Sequence, residues 1–172
     1  MDELYTAFTG DSVLPLVDFA VTPNLLVLQS LSKTAGLASL RIGFATGHAG
    51  VIDRVNRVTG PYDINSVAVA AAFAALADQS YVDAYVAEVL RARDWTVEAL
   101  RQADVRHHCD GGNYLLIWPR RSVEEIDAAL RSEGILIRSM AGKPLIDGCF
   151  RVSIGTTSQM QRFVEAYLSI DP

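Results

Sequence analysis

Along this chain, short unbroken apolar runs alternate with longer stretches of helical period, which is the rhythm of an α/β protein. Leu25-Leu26-Val27-Leu28 is continuous and predicts a strand buried on both faces. A small-residue turn from Ser30 to Gly36 follows, and Arg41-Ile42-Gly43-Phe44-Ala45-Thr46 reads as a second strand. Ala49 to Val58 predicts a short helix, broken by Gly60-Pro61. Ser66 to Ala77 is rich in alanine and predicts a helix buried in the core. Ser80 to Ala103 reads as one long helix, with Ser80 at its N-cap and Asp83 in its first turn. Val82, Val86, Val89, Val97 and Leu100 fall on or near one face of it.

From about Val105 the rhythm changes. Tyr114 to Trp118 is a strand, and Ser122 with Glu125 forms a capping box for a helix ending before Gly134. Ile135 to Arg138 and Phe150 to Ile154 read as further strands, and Ser158 with Gln161 can cap a final helix running to about Leu168. The pattern therefore divides the chain into residues 1–104, which include the long helix, and a small α/β unit over residues 105–172.

Composition narrows the function classes. A chain of 172 residues, half of them hydrophobic, is too apolar for disorder and fits one domain, or one domain with a small appendage. No apolar stretch approaches the ~20 residues that span a bilayer. The acidic start, Asp2-Glu3, argues against a secretory signal, and the expected location is cytoplasmic. A net charge of −5 without a basic run argues against broad nucleic-acid binding. The low charged fraction of 20% fits a large core or a face buried against a partner.

Most polar clusters have structural readings. Cys109 and Cys149 form no CxxC and are read as reduced thiols. His107, His108, Cys109 and Asp110 alternate faces on an extended strand and do not converge on one ion, so no metal site is expected. His48 is taken as structural, and Glu124, Glu125 and Asp127 as a solvated helix face.

The chemically informative stretch is Ser30-Leu31-Ser32-Lys33-Thr34-Ala35-Gly36-Leu37-Ala38-Ser39-Leu40-Arg41. It places an amine in a small-residue turn directly after a buried strand, with hydroxyls at Ser30 and Ser32 and a guanidinium at Arg41. A desolvated amine becomes a nucleophile toward aldehydes, and hydroxyls with an arginine suit a phosphate. Pyridoxal phosphate carries both groups. On residue types alone, a surface lysine beside an unrelated arginine stands equally open.

This segment resembles the cofactor-lysine segment of fold-type I pyridoxal-phosphate aminotransferases, particularly histidinol-phosphate aminotransferases. Asp2-Glu3-Leu4-Tyr5 resembles the Asp-Glu-x-Tyr segment of that family, and Gly60-Pro61-Tyr62-Asp63-Ile64-Asn65 its Pro-Tyr-x-x-Asn element. Gly134 to Arg138 and Cys149 to Thr156 resemble its two C-terminal arginine strands. The five segments follow the family's order and cover nearly the whole chain.

The resemblance implies a partial fold-type I large domain, a mixed sheet with helices, followed by a small α+β C-terminal domain. It implies that Lys33 joins the cofactor's aldehyde and shuttles a proton, that Asp2 pairs with the pyridine nitrogen, and that Tyr5 bonds the ring oxygen. Ser30, Ser32 and Arg41 would hold the phosphate, Arg151 the substrate carboxylate, and Arg138 a substrate phosphate or second carboxylate. The implied reaction moves an amino group between histidinol phosphate, or a related amino acid, and 2-oxoglutarate, in a homodimer. The chain resembles the C-terminal portion of such an enzyme and would pair strongly with itself or with a complementing N-terminal part. A non-catalytic remnant, a phospho-amino-acid decarboxylase and an aromatic aminotransferase are the alternatives.

Overall fold

The computed structural model describes residues 1–172, which form two compact units, Met1–Val86 and Ala87–Pro172. In the first unit, β1 (Leu26–Ser30) pairs antiparallel with β2 (Gly43–Gly47), from Leu26 opposite Gly47 to Ser30 opposite Gly43. The N-terminal segment lies parallel to β1. The Leu28 N–H donates to the Met1 carbonyl at 2.9 Å, and the Glu3 N–H to the Leu28 carbonyl at 2.8 Å. The result is a mixed ribbon with β1 in its centre. The chain then turns into the one-turn helix α1 (Thr6–Thr9).

Three helices follow: α2 (Ala49–Val58), α3 (Ser66–Ala77) and α4 (Gln79–Gln102), the last running from the first unit into the second. Each start has a local cause. The His48 ring nitrogen accepts the Gly50 N–H at 3.1 Å, and the Asn65 side chain accepts the Ala68 N–H at 2.8 Å. At α4 the structure corrects the sequence reading: Ser80 lies inside the helix, and Asp78 accepts the Tyr81 N–H at 3.2 Å. An aspartate reaches the free amides of a first turn as well as a serine does, and here it precedes the turn by the right spacing.

Two expectations of burial fail in this unit. In β1 only Val27 is fully buried, while Leu28 is 44% exposed. The apolar helix α3 buries a single stripe: Ala68 and Ala72 pack with Ile42, Leu31 and Leu40. Val67, Val69, Phe73 and Leu76 stay exposed. A helix apolar all round needs layers on both sides, and α3 has one. The second strand also starts later than expected, because Arg41 takes a left-handed conformation, φ 56°, and pairing begins at Gly43.

The second unit holds β3 (His107–His108), β4 (Tyr114–Ile117), α5 (Val123–Ser132), β5 (Arg138–Ser139), β6 (Phe150–Ser153) and α6 (Thr157–Ile170). Its sheet is antiparallel throughout, in the order β3-β4-β6-β5. Leu115, Ile117, Phe150 and Val152 share one buried face. Phe150 meets Phe163 and Tyr167 of α6 edge-on, at ring separations of 6.5 and 5.7 Å.

The Ser122–Glu125 capping box of α5 forms as read. That of α6 uses Thr156 and Gln159, two residues earlier than the expected Ser158 and Gln161. The strand expected over Ile135 to Arg138 shrinks to β5. The Ile135 N–H is taken by the Leu130 carbonyl at 2.9 Å, closing the end of α5 with Gly134 at φ 73°. At the C-terminus, buried Asp171 accepts the Arg120 and Arg121 amides and the Tyr167 hydroxyl. Burial, then that carboxylate, push the Tyr167 phenol up. Of the two thiols, Cys149 is buried and Cys109 half-buried.

Glu88 on α4 caps α6. Its carboxylate accepts the Thr157 N–H at 2.8 Å and the Thr157 hydroxyl at 3.0 Å, and pairs with Arg91. The Thr157 amide first, then Arg91 and the Thr157 hydroxyl, lower its pKa from 4.5 to about 2. A carboxylate with a depressed folded-state pKa contributes stability that is full above its unfolded value and is lost as pH falls. Urea unfolding of the second unit should therefore weaken between pH 4.5 and about 2, and Glu88→Gln should flatten that part of the profile.

Candidate active site

The sequence-predicted residues fall in both units. In the first, alternation along the ribbon decides which side chains share a face. Asp2 bridges Leu28, and Ser30 lies two residues further along β1, so Asp2, Leu28 and Ser30 point to the same side. Asp2 and Leu28 are exposed there. One Asp2 oxygen accepts the Leu4 N–H at 3.0 Å.

Ser30 ends β1 and leads into the lysine turn. Its Oγ lies 2.8 Å from the Ser32 Oγ and accepts the Ser32 N–H at 3.1 Å. The turn is closed by the Ala35 and Leu37 amides on the Leu31 carbonyl, with Gly36 at φ 70°, where a side chain would be strained. Lys33 is partly buried, its Nζ 5.5 Å from the centre of the Tyr5 ring, and it forms no ion pair. An ammonium held over a ring face without a carboxylate is weakly compensated.

Arg41 belongs to the loop before β2. Its guanidinium donates to the Ala38 carbonyl at 2.9 Å and makes no hydrogen bond to Ser30 or Ser32. A left-handed non-glycine residue costs about 1–2 kcal/mol, and such strain concentrates where backbone geometry serves a ligand.

In the second unit, Arg138 stands directly opposite Arg151 across β5 and β6. Leu116 and His108 complete the same row, so the two guanidinium stems rise from one sheet face. Like charges directly opposite disfavour pairing, and neither arginine forms an ion pair. The Arg151 guanidinium lies 5.5 Å from the Tyr114 ring centre. Such a pair is a ready receptor for a bidentate anion.

Other residues singled out by sequence turn out to have local tasks. Asn65 caps α3 and reaches the Leu40 carbonyl at 3.4 Å, while Tyr62 is 92% exposed. The His107 ring nitrogen contacts the Val105 carbonyl at 2.8 Å. Glu3 was missed as more than a neighbour of Asp2. It is 4% exposed, and its carboxylate accepts the Val13 N–H at 2.7 Å, the Ser12 hydroxyl at 2.9 Å and the Gln29 amide at 3.1 Å. The Val13 amide leads in holding its pKa below the ordinary value, against the opposing effect of burial. Its only sequence signal was an acid at a strand position alternating with Asp2.

Residues 1–166 match the family described as aminotransferase class I and II, and the chain belongs to that family. A histidinol-phosphate aminotransferase of Clostridium botulinum (strain Langeland / NCTC 10281 / Type F) is 34% identical over 170 residues, covering 96% of this chain and 47% of the relative. The crystal structure of a putative histidinol-phosphate aminotransferase from Erwinia carotovora atroseptica superimposes with a TM-score of 0.85 at 25% identity, over 98% of this chain and 49% of that one. The Sinorhizobium meliloti histidinol-phosphate aminotransferase, solved in complex with pyridoxal-5'-phosphate, shares the fold with a TM-score of 0.80 at 23% identity, over 98% of this chain and 47% of that one. The chain thus spans about half the length of the curated relatives it matches.

The position of Ser30 depends on Gly43. A Cβ there would lie 2.6 Å from the Gln29 carbonyl of the paired strand, where only backbone could give way. Gly43→Ala should cost about 1–3 kcal/mol, read as a lower urea midpoint of the chain.

Proposed function

We propose that this chain carries the cofactor-holding and substrate-recognising residues of a pyridoxal-phosphate-dependent aminotransferase, with histidinol phosphate or a related amino acid and 2-oxoglutarate as substrates. The carrying observation is Lys33: an amine without an ion pair, in a turn that leaves a strand whose open face bears Asp2 and Ser30. The donor set fits the cofactor group by group: an amine for its aldehyde, a carboxylate for its pyridine nitrogen, and paired hydroxyls for its phosphate. When bound, that group supplies an aldehyde and a ring that accepts electrons from the substrate's α-carbon.

The chain's own residues would do the rest. Asp2 would hold the ring nitrogen in its protonated form through a charge-assisted hydrogen bond. Lys33 would supply the amine that holds the aldehyde and the base that moves the proton of the substrate's α-carbon. Tyr5, whose ring centre lies 5.5 Å from that amine, would bond the cofactor's ring oxygen with its hydroxyl, and Ser30, Ser32 and Arg41 would hold the phosphate. Arg151 clamps the substrate carboxylate, and Arg138 takes a phosphate or a second carboxylate. The exposed apolar side chains of α3 support a further element of this reading: the chain works as a homodimer or with a complementing N-terminal part.

Adding pyridoxal phosphate, with and without the N-terminal half of a relative, tests this. A visible absorption band should appear and vanish in Lys33→Ala. Arg151→Ala should raise the KM for the amino acid about thirtyfold or more, equivalent to about 2 kcal/mol of a lost charged contact. The open α3 face favours a second reading, in which the fold persists without a completed site. Absence of the band under every condition would select it, and a stable monomer in sedimentation would count against the partnered state.

A further inference from the structure

We propose that Glu3 is a positioning residue that holds Asp2 and Tyr5 in place against the lysine strand. This rests on the reading of the Asp2 face as the cofactor face, and goes beyond it by naming what keeps that face in register.

Glu3 sits between the two residues it would serve, and its side chain points to the opposite side of the ribbon from Asp2. On that side the carboxylate ties two separate pieces of chain to the N-terminal strand: the loop at Ser12 and Val13, through the Ser12 hydroxyl and the Val13 amide, and the middle of β1, through the Gln29 side chain. Its own backbone N–H continues the ladder to Leu28. The N-terminal strand has no other long-range side-chain anchor. Asp2 bonds only its own neighbour Leu4, and the remaining ladder bonds come from Met1. A strand with so few backbone bonds is free to fray or slip, and a slip of one residue would turn Asp2 to the wrong side. The bond to Gln29 forbids that slip, because it pins Glu3 to the face opposite Ser30.

Geometry rather than charge is what this clamp requires, which makes the conservative variant informative. In Glu3→Gln the amide oxygen can face the Val13 N–H. The amide nitrogen can face Ser12 and Gln29, both of which can reverse from donor to acceptor. Glu3→Ala loses all three bonds. Glu3→Asp keeps the charge but falls short by one methylene.

The experiment measures two things on the whole chain, in whichever form gives the wild-type band. The first is amide hydrogen exchange without cofactor. Glu3→Ala should speed exchange at Glu3 and Leu28 about tenfold or more, leave the β1–β2 ladder unchanged, and be rescued by Glu3→Gln. The second is the pH profile of the visible band. Glu3→Ala should shift it in the same direction as Asp2→Ala, although Asp2 is intact, and Glu3→Gln should restore it. Should Glu3→Ala not fold, Glu3→Asp carries both measurements with the same expectation. Unchanged exchange at Glu3 and Leu28 overturns the proposal, as does a lower unfolding midpoint combined with a wild-type pH profile. A wild-type chain that gives no band defeats the cofactor reading instead, and the exchange rates still decide the clamp.

Discussion

The backbone pairing of residues 1–3 with β1 is the constraint on which the first unit depends. Three hydrogen bonds, from the Met1 amine to Leu26, from Leu28 to Met1 and from Glu3 to Leu28, set the register of the N-terminal segment. Because side chains alternate along a strand, that register decides that Asp2 joins Leu28 and Ser30 on one side and Glu3 joins Gln29 on the other. The lysine turn starts where β1 ends, so the placement of the amine follows from the same strand.

The two units treat their apolar residues differently. Ala87–Pro172 surrounds one sheet face with α5 and α6 residues and buries Phe150, Leu115, Ile117, Leu130 and Tyr167 completely. Met1–Val86 leaves Phe44, Ile64, Val69, Phe73 and Leu76 exposed around a groove of about 250 Å³. These side chains form one contiguous open apolar area rather than a scatter of single exposed residues.

The arginine pair of the second unit places two like charges opposite each other on one sheet face. Arg138 and Arg151 face each other with no acid between them, at the expense of cross-strand repulsion. The Tyr114 ring, with its centre 5.5 Å from the Arg151 guanidinium, favours that charge without neutralising it.

Much was legible in the residues alone because its causes are local. Ala49–Val58, Ser66–Ala77 and the Ser122–Glu125 box depend on side chains a few positions apart, and so does the small-residue turn around Lys33. The rest depended on partners distant in sequence. Whether Leu28 and α3 are covered, where pairing with β1 begins, and what the acid beside Asp2 does were settled by packing and register. Glu3 is the clearest case: its neighbours in sequence hid its task, since two of its three partners lie on a loop and the third lies in a strand 26 residues away. Periodicity assigns a residue to a helix or a strand, but only the fold decides what its side chain meets.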